Sequence, residues 1–340
     1  MKDPTLPETI QLGHGSGGIM TRELLDQIVF EYFGNPLLDR KHDGAVLDIP
    51  GPVAISTDSF VVSPIFFPGG DIGDLAINGT VNDVAMCGAR PRYLSLGFIL
   101  EEGLPLEAFR RVVQSVRKAA DAAGVQIVTG DTKVVEKGKG DQIFINTTGI
   151  GTLHPGANIG LERVKEGDSL LLSGPLAAHG MAIMSKREGL EFESEIRSDT
   201  APLHEIILAL LDRFGDKVHL LRDPTRGGLA SVCSEIAGDA GLGIFLDETQ
   251  IPVDSQVSAA CEILGLDPLY VANEGVFCAF VEPGIAAEAL ALVQDHKNGR
   301  QAALVGNVTA EHVGKVVMRS TIGGTRIVTP LLGEQLPRIC

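Results

Sequence analysis

The chain has 340 residues, more than one ordinary hydrophobic core accommodates, so two domains are the expectation. Apolar residues make up 44% and charged residues 21%, the composition of a soluble globular protein. A net charge of −16 argues against a surface for nucleic acid or anionic lipid, and no apolar run approaches the length of a membrane span.

Residues 1–13 carry no apolar targeting stretch, which predicts a cytoplasmic protein. A glycine cluster, GHGSGG (Gly13 to Gly18), then precedes a helix predicted over 19–34. Strand-like runs over 44–49 and 53–62 are separated by the turn-forming Pro50-Gly51-Pro52. A helix is predicted over 71–87 and a strand over 92–100. Leu106, Phe109, Val112, Val113, Val116 and Ala120 recur at helical spacing, and the pattern stops on Gly124. Strands over 125–130 and 142–153 close a first domain near residue 154.

Residues 154–176 read as the crossing into a second domain. Helices are predicted there over 202–215, 227–241, 254–265 and 285–296. Strands alternate with them over 217–223, 242–247, 274–282 and 302–309, and 315–330 forms a hairpin. The fold class is therefore α+β or α/β. The division is 1–38 for the Gly-rich segment and first helix, 39–154 and 155–328 for the two domains, and 329–340 for an extended, mobile tail.

The five cysteines are widely spaced, with no C-x-x-C pair, so neither a zinc site nor a disulfide framework is expected. Cys87, Cys233, Cys261 and Cys278 lie in apolar surroundings and read as small core residues. Cys340, the last residue, does not, because a chain terminus is a poor place for a structural thiol.

Asp43, Asp58, Asp83 and Asp131 recur beside small residues. Each alone reads equally well as a turn or cap residue. Together they would repel unless a hard cation such as Mg²⁺, sharing substrate phosphates, neutralised them. GHGSGG matches G-x-G-x-x-G without a firm preceding strand, so it reads either as a flexible entry loop or as a source of backbone N–H groups for phosphate. No Walker A sequence occurs. Lys133 follows Asp131 by two residues, which puts both on one face of an extended segment and suits phosphoryl transfer. The turn RDPTRGGL, Arg222 to Leu229, holds both the carboxylate Asp223 and an arginine, and Glu274 precedes an apolar strand as either a cap or a positioned base.

TDSF, NDVAMCGARP, GDTKVVE and DPTRGGL, in this order, resemble the ATP-binding superfamily of aminoimidazole ribonucleotide synthetase, selenophosphate synthetase and thiamine-monophosphate kinase. Within it, GHGSGG and the terminal PRIC resemble the HypE family of hydrogenase maturation factors, the carbamoyl dehydratases. The resemblance spans nearly the whole chain. It implies a two-domain PurM-like fold whose first sheet pairs across a homodimer, with ATP near the interface. It implies nucleotide contacts from Asp43, Asp58, Asn82, Asp83, Gly130, Asp131, Thr132 and Lys133, and Mg²⁺ ligands among Asp43, Asp58, Asp83, Asp131 and Asp223. Cys340, Glu274 and Lys133 become the catalytic set. Cys340 would take a carbamoyl group from the carbamoyltransferase HypF, lose water at the expense of ATP to become a thiocyanate, and pass cyanide to a HypC–HypD complex for the iron of a [NiFe]-hydrogenase. Pro337 would stiffen the arm, Arg338 would pair with an acid or phosphate, and Ile339 would anchor in an apolar pocket. The rival readings are a small-molecule kinase or synthase of the same superfamily, which leaves Cys340 unexplained, and an ATP-binding scaffold for maturation partners, which needs no thiol.

Overall fold

The computed structural model describes residues 6–16, 18–40, 44–190, 195–331 and 338–339. The chain opens on α1 (Gly18–Leu24), a π-helical stretch (Leu25–Val29) and α2 (Phe30–Phe33). The first domain continues with β1 (Val53–Phe60), the short ribbon β2 (Phe66–Phe67) and β3 (Gly70–Asp71), and α3 (Ile72–Met86). Next come β4 (Ala89–Glu101), α4 (Leu106–Ala123), β5 (Gln126–Val135) and β6 (Ile143–Leu153). Among the described residues these strands form a sheet in the order β1-β6-β4-β5, antiparallel except for the β4–β5 pair that α4 connects.

The second domain runs β7 (Ser169–Leu172), α5 (Ala178–Glu188), α6 (His204–Phe214), β8 (Val218–Arg222), α7 (Gly228–Ala240), β9 (Gly243–Asp247) and α8 (Ser255–Leu264). It ends with β10 (Cys278–Val281), α9 (Ala286–Asp295), β11 (Ala303–Thr309), β12 (Val316–Arg319) and β13 (Thr325–Val328). Its described strands form a sheet in the order β13-β12-β9-β11-β7-β10-β8.

Two helices show opposite solutions to burial. In α4 one apolar stripe, Phe109, Val112, Val113, Val116 and Ala120, faces the core, and the left-handed Gly124 ends the helix. Phe109 is fully buried and meets Phe98 edge to face with ring centroids 5.2 Å apart. In α3 almost every residue from Ile72 to Met86 is buried, because the first sheet covers one side and the second domain the other. Asp71 caps its start through bonds from the Gly73 and Asp74 N–H groups. Gly79 is needed in this helix, since a Cβ there would lie 2.9 Å from the Phe60 ring.

The structure departs from the sequence reading in five places. Residues 45–49 form no strand, with Val46 largely exposed, because they pair with no neighbour. GDTKVV lies within β5, not at a strand end. The crossing contains β7, and α5 follows it where no element was expected; α5 buries His179, Gly180, Met181, Ala182, Ile183 and Ser185 and so shows no polar stripe. Cys87 is exposed at the C-cap of α3, where the helix stops before the left-handed Gly88. Arg338 and Ile339 are docked, not free, and Ile339 is packed into the first domain's core. No described helix is long and apolar enough to cross a membrane.

Phe109→Ala should lower the unfolding free energy by roughly 3–5 kcal/mol, the usual cost of emptying a well-packed aromatic site, as read from urea unfolding. A change below about 1 kcal/mol would mean that the α4 stripe does not hold the first core.

Candidate active site

Four carboxylates converge between the domains, each from a different element. β1 turns Asp58 toward α3, as its pairing with the buried Thr147 requires. α3 supplies Asp83, the turn after β8 supplies Asp223, and the segment before β10 supplies Glu274. With Thr57, Gly79, Thr225 and Arg226 they surround a cavity of about 210 Å³. Ser56 donates to Asp83 at 2.8 Å, the Ser59 N–H to Asp58 at 2.7 Å, and Thr225 to Asp223 at 3.3 Å. Among the described residues that line the cavity Arg226 is the cation, 3.4 Å from Asp58, but its side chain is 80% exposed, and Arg222, paired with Glu235, acts on Asp223 from outside it.

One exposed guanidinium does not neutralise this cluster. Burial, then the nearby Asp223 and Asp58, push the Asp83 carboxyl up to about 7. Burial also raises Asp223, with Asp58 adding to it. Glu274 is raised well above the usual carboxylate range by burial and by Asp223, Asp199, Asp58 and Asp83. Its Oε1 is buried with no hydrogen-bond partner.

Glu274 is held from both sides. Asn82 donates to the Glu274 carbonyl at 3.1 Å and to the Ala201 carbonyl at 3.0 Å, and accepts from the Leu203 N–H at 2.8 Å. Its amide is thus committed to backbone, so Asn82 positions Glu274 and does not offer itself to a ligand. Asp199 accepts the Glu274 N–H at 3.3 Å, and burial raises Asp199 to about 6. Gly275 permits this approach, since a Cβ there would sit 1.8 Å from the Asp199 carbonyl oxygen. Asp199 escaped the sequence reading because it sits in an irregular stretch with no motif to mark it.

Asp131 and Lys133 lie elsewhere. Their register partners on β4 are Gly97 and Ile99, on the outer face of the sheet, whereas Asp58 is on the inner face. Lys133 Nζ contacts Asp131 at 2.7 Å, both exposed, and this contact holds the Asp131 carboxyl below its usual range. Gly130 is a steric necessity, because a Cβ there would lie 2.2 Å from the Leu96 carbonyl oxygen. Gly130, Asp131 and Thr132 border a second cavity of about 470 Å³, walled by Leu25, Phe30 and Phe98 among others. The chain by itself therefore gathers Asp58, Asp83, Asp223 and Glu274 but not Asp131 or Lys133. Asp43 and Cys340 lie outside the described residues.

Arg338 and Ile339 dock against residues of both domains. Ile339 is 3% exposed. Its carbonyl accepts from His179 at 2.9 Å, and the Arg338 carbonyl accepts from the Ser63 N–H at 3.2 Å and from Arg187. The Arg338 guanidinium pairs with Asp141 and reaches the Val61 carbonyl at 3.3 Å. Ile339 as an anchor and Arg338 paired with an acid agree with the sequence expectation.

Among the described residues no three acidic, histidine or cysteine side chains are close enough to hold a metal alone. The orphaned Glu274 Oε1 and the crowded carboxylates still fit a cation that takes much of its coordination from phosphate and water, as Mg²⁺ does.

A carboxyl raised on folding stabilises the fold at low pH and loses that contribution as pH climbs from the unfolded value, about 4, to the folded one. For Asp83 the window is about pH 4 to 7. Asp83→Asn should therefore raise the melting temperature of the ligand-free protein by a few degrees at pH 8 and hardly at all at pH 4. Equal shifts at both pH values would remove charge crowding as the cause.

Residues 41–153 match the N-terminal domain of AIR synthase related proteins, and residues 165–319 match the C-terminal domain. The chain is 50% identical over 333 residues to carbamoyl dehydratase HypE of Azotobacter vinelandii, covering 98% of this chain and 97% of that one. It aligns with the crystal structure of a hydrogenase maturation protein HypE in complex with ATP at a TM-score of 0.93 and 49% identity, over 97% of this chain and 99% of that chain. A chain of a HypE–HypF complex aligns at a TM-score of 0.80 and 45% identity, over 91% of this chain and 99% of that chain. With both domains matched and half of its residues shared with a curated relative, the chain belongs to the HypE family of carbamoyl dehydratases.

Proposed function

We propose that the chain removes water from a carbamoyl group carried as a thiocarbamate on Cys340, at the expense of ATP, leaving a thiocyanate. Family membership supports the reaction class. The observation that carries the finer reading is the segment Ser198–Asp199. Ser198 holds His179, which meets Ile339, while Asp199 holds the backbone of Glu274. Adjacent residues thus fix the neighbour of the terminal cysteine and a buried, unpartnered carboxylate.

The carbamoyl group would arrive from HypF, a partner supported by the relative solved as a HypE–HypF complex. Direct loss of water from –S–C(=O)NH₂ is slow because hydroxide is a poor leaving group. Transfer of the γ-phosphoryl group to the amide oxygen, with loss of one N–H proton, gives –S–C(=NH)–O–phosphate and ADP. The C–O bond then breaks, phosphate departs, the second N–H proton leaves, and –S–C≡N remains. The sum is thiocarbamate plus ATP giving thiocyanate, ADP and phosphate. A relative solved with ATP supports the nucleotide. Glu274 is the acceptor for the N–H protons; burial and its acidic neighbours favour its protonated form in the ligand-free protein, and a nearby cation would favour the ionised form that a base needs. Asp58, Asp83 and Asp223 would hold Mg²⁺, which supplies charge neutralisation during phosphoryl transfer. The thiocyanate would then donate cyanide to a HypC–HypD complex for the iron of a [NiFe]-hydrogenase.

Asp131, Thr132 and Lys133 would serve the nucleotide across a homodimer. The outer face of the first sheet exposes Val53, Ile55 and Ile99, a face suited to a second copy. Lys133 would then act on a site that its own chain does not form alone, and any assistance to Glu274 would depend on that pairing.

Intact mass of the protein after incubation with HypF and carbamoyl phosphate should show a carbamoyl adduct that loses one water on addition of Mg-ATP. Cys340→Ala should form no adduct. Glu274→Gln should keep the adduct but lose water roughly 10²–10⁴-fold more slowly. An adduct that survives ATP turnover would favour a small-molecule kinase, and full function in Cys340→Ser would favour a scaffold. Ile55→Asp should shift the sedimentation coefficient from dimer to monomer; an unchanged value would place any interface elsewhere.

A further inference from the structure

The mechanism leaves a fully buried histidine unused. His179 lies in the first turn of α5, its ring edge-on to Phe67 at 5.6 Å. One ring nitrogen, Nε2, is 2.9 Å from the Ile339 carbonyl oxygen, and Nδ1 is 2.8 Å from Ser198 Oγ. A carbonyl oxygen can only accept, so Nε2 carries a proton. Burial holds the pKa of the ring down at about 4, so the ring is neutral and Nδ1 must accept from the Ser198 hydroxyl. Ser198 Oγ in turn accepts the Thr200 N–H at 3.1 Å, which leaves its own hydrogen free for the ring.

The relay starts from a rigid support. The Ser198 N–H donates to the Pro68 carbonyl at 2.8 Å, in the turn between β2 and β3, and a Cβ at Gly69 would come within 2.6 Å of that nitrogen. The direction of every hydrogen is therefore set, from the Thr200 backbone through Ser198 and His179 to the last peptide carbonyl of the tail. Arg338 and the Ile339 side chain are held by other groups, but His179 reaches the carbonyl bonded directly to the Cys340 nitrogen.

We propose that His179 is a positioning residue for the reactive tail, its Nε2–H fixing the Ile339 carbonyl and so the placement of the terminal residue, with Ser198 fixing the tautomer that makes it a donor. The proposal rests on the reading that Cys340 is the reacting group, but the docking it describes is measurable without carbamoyl chemistry.

Docking is read by carboxypeptidase Y digestion of the full-length protein, followed by intact mass. Ile339 must leave the core before it is cleaved, so its release rate follows the undocked fraction. His179→Asn keeps a polar group near the Nδ1 position and loses the donor at Nε2, whereas His179→Gln returns an N–H close to Nε2. Release of Ile339 should accelerate roughly tenfold in His179→Asn, the effect of one buried hydrogen bond, and stay within about twofold of wild type in His179→Gln. Single-turnover dehydration should slow by a similar factor in the Asn variant alone, with ATP affinity unchanged. Ser198→Ala should give an intermediate acceleration and keeps the test available if His179→Asn fails to fold. Wild-type release in both His179→Asn and Ser198→Ala, or a Gln variant as labile as the Asn variant, would overturn the proposal. If the dehydratase reading failed instead, the digestion differences would persist while the carbamoyl adduct showed no loss of water.

Discussion

A helix without a solvent face needs a neighbour for every side chain, and α3 finds its neighbours in both domains. Toward the first sheet, Thr80 bonds Thr147, which donates to the Ala76 carbonyl, and Gly79 leaves room for the Phe60 ring. Toward the second domain, Asn82 ties the carbonyls of Ala201 and Glu274 and the N–H of Leu203 to the same helix. Disturbing the helix would therefore disturb the domain seam and the carboxylates along it. That dependence makes α3 the frame of the site as well as of the fold.

The carboxylates on this frame carry a cost in the ligand-free protein. Asp83 at about 7 and the strongly raised Glu274 record repulsion and burial that Arg226, exposed at the rim, does little to relieve. A protein selected for stability alone would not gather these groups. The arrangement is reasonable if positive charge and phosphate are brought in together with substrate, because the same crowding then favours binding.

The regular part of the fold was legible because its periodicity was clean. The stripe of α4, the alternation in β1 and β6, and the glycines closing α4, α7 and α8 each correspond to one pattern in the chain. Helix α5 was missed for the opposite reason: buried on most sides, it offers no polar stripe, and its His179 carries no motif. Asp58, Asp83, Asp223 and Glu274 were singled out from short motifs and do meet. The strand register that sends Asp131 to the opposite face of the sheet is a property of pairing with β4, which no local pattern encodes. The run at 44–49 illustrates the same limit, since strand propensity without a partner produces no strand.

The tail leaves the second domain where Tyr270 donates to the Thr329 carbonyl at 2.8 Å, and it is held again at Arg338. From Leu331 to Arg338 the chain can span at most roughly 23–25 Å. A group on so short a tether meets its own site at an effective concentration of the order of millimolar, whatever the amount of protein in the cell. Any outside acceptor must compete with that local excess. On the proposed reading, random collision with the tail would not suffice, and a productive partner would hold the whole protein long enough for the arm to exchange one cleft for another.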